Sequence, residues 1–150
     1  MRRKVKRNIL LNPGPATTTD SVKWAQVVPD ICPREKEFGI LLSSIRQDLL
    51  KIVNADEEIY TTVLFGGSGT AAMESVLSSV VPKQNKVLII INGAYGQRLK
   101  QISETHNILF DTLEYEWGRP IDLEEVESIL SNDESIKFVS FVHHETTTGI

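Results

Sequence analysis

KVLIIINGAYG, residues 86–96, decides how the rest of the chain is read. Val87 to Ile91 are five consecutive apolar residues, four of them β-branched, in a run too short for a buried helix. An apolar run without alternation fits a parallel strand covered on both faces. Two glycines, Gly93 and Gly96, then mark a turn, and the spacing predicts a helix from about Gln97 to Glu104. Strand, glycine turn and helix together are the unit of an open parallel sheet.

The same alternation extends outward in both directions. Downstream, Ile108–Leu113 reads as a strand and Asp122 with Glu125 as a capping box for a helix running to Leu130. Lys137–His143 reads as a further strand. Upstream, the β-branched and aromatic segment Ile59–Phe65 reads as a strand, followed by a helix from Thr70 to Val80 that Pro82 stops. Phe38, Leu41, Leu42, Ile45, Leu49 and Ile52 recur at three- and four-residue steps and predict an amphipathic helix over 35–54. A short helix from Asp20 to about Val27, capped by one of Thr17 to Thr19, precedes a loop set by Pro29 and Pro33. The expected fold class is α/β, a mostly parallel sheet covered by helices. Residues 1–13 form a basic arm and lead-in, and residues 14–150 form one domain whose sheet and covering helices read as incomplete.

Composition limits the function. The 150 residues are 41% apolar and 24% charged, as in ordinary globular chains. Five of the 16 basic residues fall in the first seven positions, leaving the remainder with 11 basic against 20 acidic residues. That acidic body does not suit a nucleic-acid backbone, and the basic arm reads as a solvated terminus. No apolar run reaches the 18 residues that suggest a membrane span, and Asn12 to Pro15 cut short the only signal-like start. A lone Cys32 suits a reducing cytoplasm.

Ligands of parallel sheets gather at the carboxyl ends of the strands. Gly66-Gly67-Ser68-Gly69-Thr70 lies at such an end, where a helix start presents free amides to an anion. A Walker A loop would need a lysine where Gly67 stands. The dinucleotide fingerprint is met only with Ala72 in its third place, and no carboxylate follows the next strand. The second glycine of a hydrolase elbow is missing, so Ser68 is not read as a nucleophile. His143 and His144 would point to opposite faces of a strand and are not read as metal ligands. Tyr95 stands at the same edge, where its ring could pack or stack on a flat ligand.

Four segments in combination resemble a known family. Leu11 to Pro15, the glycine loop through Glu74, Asn92 to Gly96, and His144-Glu145-Thr146-Thr147-Thr148-Gly149 match the order and intervals of the class V, fold-type-I aminotransferases that use pyridoxal 5′-phosphate. The resemblance runs from about Ile9 to Ile150 and implies the N-terminal portion of that family's large domain. It implies that Ser68, Gly69 and Thr70 hold the cofactor phosphate and that Tyr95 lies against the pyridine ring. Thr147, foremost of the three threonines, would hydrogen-bond near the ring's 3-oxygen, and Gly14 would lie near substrate. It further implies a homodimer, with a small-molecule amino donor and pyruvate as substrates, the donor by closest likeness an aminophosphonate. The family's Schiff-base lysine and ring-nitrogen aspartate fall beyond Ile150, so no catalytic residue is assigned in this chain. Lys83, Lys86 and Lys100 stand on the wrong strand ends or faces for that role. The competing reading is a sheet domain that binds a phosphorylated ligand, or another chain, without catalysis.

Overall fold

The computed structural model describes residues 5–150, so the first four residues of the basic arm lie outside it. The elements are α1 (Asp20–Ala25), α2 (Lys36–Ile52), α3 (Gly69–Val80), β1 (Lys86–Ile91), α4 (Ala94–Thr105), β2 (Leu109–Glu114), α5 (Leu123–Asn132) and β3 (Ile136–Ser140). Contacts divide the chain into two units, one up to Leu64 and one from Phe65 onward.

In the second unit β1 is the central strand of a three-stranded parallel sheet ordered β2-β1-β3. Val87 to Ile91 are all buried, as the apolar run requires. Val87, Ile89 and Ile91 pack with Leu77, Val81, Leu99 and Ile102 of α3, α4 and the turn between α3 and β1. Leu88 and Ile90 face the other way, onto Leu113, Tyr115 and Ile136, with Val126 and Ile129 of α5 against them. Each such burial contributes about 1.5–3 kcal/mol. The covering helices divide this way because α4 carries the chain from β1 out to β2, while α5 carries it back past β1 to β3. Crossovers of one hand leading to either side of β1 must use opposite faces.

The edge where the strands begin is held by charge. Lys86 Nζ donates to Asp111 Oδ2 at 2.9 Å and to Asp133 Oδ2 at 2.6 Å, joining β1 to β2 and to the turn before β3. Lys86 first, then the hydroxyl and amide of Ser135, hold the Asp133 carboxyl down at about 2. Lys100 of α4 pairs with Glu114 at 3.0 Å. Lys86 and Lys100 are thus engaged in structural pairs.

The capping box at α5 forms only by half. Asp122 Oδ1 accepts from the amides of Glu124 and Glu125, as expected. Glu125 does not reach back to the Asp122 amide. The buried Tyr115 hydroxyl stands between them, accepting from Asp122 N at 3.3 Å and donating to Glu125 Oε2 at 2.9 Å.

The expected strand over 59–65 does not form. Its residues pair with no strand, and Ile59, Tyr60, Val63 and Phe65 are exposed. Strand propensity describes fit to a paired, half-covered surface, and without a ladder partner the segment is only extended chain. Side chains secure part of it to α2 instead: Arg46 Nη2 donates to Thr61 Oγ1 at 2.5 Å and Thr62 Oγ1 donates to Arg46 O at 3.2 Å. The stripe of α2 also stays largely uncovered. Among the described hydrophobic residues of the first unit only Leu50 is buried, while Ile52 is 76% exposed. Thr19 occupies the N-cap of α1, yet its hydroxyl bonds Ser21 Oγ rather than a helix amide.

Candidate cofactor edge

Three loops meet the carboxyl edge of the sheet for topological reasons. α3 ends next to the start of β1, so its N-terminus stands at the opposite edge. α4 begins directly after β1, and the 141–150 loop leaves β3 at that same edge.

At α3, Ser68 is the N-cap and its Oγ accepts from Ala71 N at 3.4 Å, leaving the hydroxyl hydrogen free to donate. The amides of Gly69 and Thr70 have no acceptor among the described residues. Ser68 and Gly69 are exposed and Thr70 is half-buried. A Cβ added at Gly69 would meet nothing within 4 Å outside its chain neighbours and its own helix backbone. Thr70 also lines a groove of about 240 Å³ between α3 and α4, along with Arg98 and the paired Glu74 and His106.

The start of α4 is organised differently. Its N-cap is Gly93, which has no side chain to offer. The carboxylate of Glu145, 50 residues along, takes that place: Oε2 accepts from Tyr95 N at 3.1 Å. Oε1 accepts from Thr147 N at 3.2 Å and from Thr147 Oγ1 at 2.6 Å. Thr147 Oγ1 in turn accepts from Ala94 N at 3.2 Å. Glu145 is completely buried. Burial works to raise its pKa, but hydrogen bonds from the Thr147 hydroxyl and from the amides of Thr147, Tyr95 and Gly96 hold it below the ordinary value. The cluster brings Tyr95 and Thr147 together and leaves the Tyr95 side open, with 42% of the residue exposed. Asn92, directly after β1, has a buried Oδ1 with no donor among the described residues.

Gly14 belongs to the first unit, in a turn where the Asn12 amide donates to the carbonyls of Gly14 and Pro15. The expectation that His143 and His144 lie in a strand fails. β3 ends at Ser140, His144 adopts a left-handed φ of 67°, and the two rings stand 4.1 Å apart at 40°. No group of three or more potential metal-binding side chains gathers among the described residues. No helix among them is long and apolar enough to cross a membrane.

Sequence reasoning named Glu145 only within its motif and missed what it does. The readable signal is a helix-starting turn whose N-cap is glycine, which leaves the first amides open to a cap from another segment.

The donor set fits a phosphorylated, flat ligand. Two free amides and two hydroxyls at a helix N-terminus suit a phosphate, and an accessible aromatic ring at the same edge suits a planar ring.

No family model matches the chain. A 2-aminoethylphosphonate–pyruvate transaminase of Bacillus cytotoxicus is 45% identical over 143 residues, covering 95% of this chain and 39% of the relative. The structure of an alanine–glyoxylate aminotransferase from Nostoc sp. superposes with a TM-score of 0.81 at 29% identity, over 99% of this chain and 39% of that one. A ureidoglycine–glyoxylate aminotransferase from Bacillus subtilis gives a TM-score of 0.81 at 26% identity, over 99% and 37%. The chain therefore spans about two fifths of the length of the curated relatives it matches. In sequence and in fold together, the chain is similar to aminotransferases over at least 95% of its own length.

Proposed function

We propose that the intact protein is a pyridoxal 5′-phosphate-dependent aminotransferase that moves the amino group of 2-aminoethylphosphonate to pyruvate, giving phosphonoacetaldehyde and L-alanine. The observation that carries the reading is the 45% identity to a transaminase of that name across 95% of the chain. The open α3 N-terminus supports it at the level of the site. The cofactor, when bound, supplies an electron sink that makes the substrate's Cα proton removable.

The residues of this chain then have binding and orienting roles. The amides of Gly69 and Thr70 with the hydroxyls of Ser68 and Thr70 would hold the phosphate, helped by the positive end of α3. Tyr95 would lie against the ring. The hydroxyl hydrogen of Thr147 is committed to Glu145, and one of its lone pairs to Ala94 N. Thr147 would thus serve the ring oxygen as donor only by exchanging Glu145 for it. Gly14 would approach the substrate. Proton transfer and ring-nitrogen pairing are assigned to no residue of this chain. The same reading carries a cytoplasmic homodimer.

Alanine formation by the intact protein, with 2-aminoethylphosphonate set against serine, glycine and other primary amines, tests the proposal. Turnover of the phosphonate is expected. Turnover of an ordinary amino acid alone would overturn the donor, and no transamination with any donor would overturn the enzyme reading.

A further inference from the structure

Three of the described helices have side-chain caps, and these are of two kinds. α3 and α5 use local caps, Ser68 and Asp122, that accept from amides two or three residues on. α4 instead draws on the buried carboxylate of Glu145, fifty residues distant. Burying a charge is expensive, and an asparagine, serine or aspartate at position 93 would cap α4 locally without that cost. Capping alone therefore does not account for Glu145.

What Glu145 achieves and a local cap cannot is a link between two loops. Three donors from two loops meet on its two oxygens: the amide of Tyr95 on Oε2, and the amide and hydroxyl of Thr147 on Oε1. The loop is closed onto itself as well, by Gly149 N to Glu145 O at 2.8 Å and Glu145 N to Ile150 O at 2.6 Å. Gly93 leaves the room the carboxylate occupies, since a Cβ there would lie 2.8 Å from Oε2 and nearer still to Cγ and Cδ.

We propose that Glu145 is a positioning residue of the cofactor edge, fixing the Tyr95 backbone, from which the ring projects, and the Thr147 hydroxyl relative to one another through one shared carboxylate. Its consequence for a ligand rests on the aminotransferase reading above, while its geometry does not. Glutamine at 145 has a single side-chain oxygen, so it must leave either the α4 amides or the Thr147 donors unsatisfied.

The test uses the intact protein in two stages. In the cofactor-free protein, Glu145→Gln should raise amide hydrogen exchange at Tyr95 or Thr147 at least tenfold while exchange in β1 stays near wild type. Titration with pyridoxal 5′-phosphate should then show a dissociation constant raised about tenfold, with an altered visible spectrum of the bound cofactor. Glu145→Asp should recover part of both. Thr147→Val, a milder change at an exposed residue, should weaken the cofactor while leaving the Tyr95 amide protected; it keeps the proposal testable if Glu145→Gln does not fold. Unchanged exchange at both amides overturns the geometry. Raised exchange with wild-type cofactor affinity and spectrum reduces Glu145 to a cap and overturns the positioning role. Failure of the wild-type protein to bind the cofactor overturns the aminotransferase reading and the ligand consequence with it, whereas the exchange result continues to report on the loop link.

Discussion

Gly93 and Glu145 share one small volume: the position a Cβ would take at residue 93 lies 2.8 Å from Glu145 Oε2. Gly93 itself is extended, with φ at 178°, so it is required for space rather than for conformation. Gly93→Ala should expel the carboxylate from the start of α4. The lost cap and the overpacking together should cost about 2–3 kcal/mol. An unchanged urea midpoint would show that the carboxylate has another seat.

Acid should loosen the opposite edge of the sheet. The Asp133 carboxyl is depressed from 3.8 to about 2 by Lys86 and Ser135. A depressed carboxyl contributes stability that is present above its unfolded value and lost as pH falls through the folded value. The loss from Asp133 therefore falls between about pH 4 and pH 2. Glu145, also depressed, adds a loss in the same direction below its ordinary value of 4.5. Denaturation midpoints measured from pH 6 to pH 2 should fall through this range. Asp133→Asn should lower the midpoint at pH 6 and flatten the later decline, and an unflattened decline would exclude Asp133 as a source.

Tyr115 fills core space with its ring and completes the cap of α5 with its hydroxyl. Tyr115→Phe keeps the first role and removes the second. The expected loss is about 1 kcal/mol, since Asp122 and Glu125 are exposed and regain water. A loss above about 3 kcal/mol would mean that the ring had moved as well.

Sequence alone gave β1 to the residue, because five buried apolar residues leave little alternative to a strand covered on both faces. It located α3, whose cap and stop signals are both local. It placed the start of α4 three residues late because the cap that begins that helix is Glu145, which no local pattern reveals. The segment 59–65 was legible in composition but not in structure, since pairing is a property of two segments and propensity of one. Tyr115 escaped notice for the same reason: its partners, Asp122 and Glu125, are recognisable as a capping box without it. At the candidate site, Ser68, Gly69 and Thr70 were readable as a helix start behind a glycine turn. The roles of Tyr95 and Thr147 came from the resemblance.

The 150-residue chain should associate in solution. Leu50 is the one buried hydrophobic residue described in the first unit, and Val139 and Phe141 remain 42% and 51% exposed in the second. Apolar surface left open in this way favours association, as do the free edges of β2 and β3. Sedimentation velocity is expected to show species larger than the monomer. A single compact monomer with cooperative unfolding would contradict this.

The central claim is that the α3 N-terminus holds the phosphate of pyridoxal 5′-phosphate, and Gly69→Val tests it most directly. Outside its chain neighbours and its own helix backbone, nothing lies within 4 Å of an added Cβ there, so the cofactor-free protein should keep its stability to within about 1 kcal/mol. The same side chain would stand over the amide that a phosphate must approach. Spectroscopic titration of the intact protein is expected to show the cofactor dissociation constant raised at least tenfold against wild type. An unchanged constant in a folded Gly69→Val protein would contradict the account.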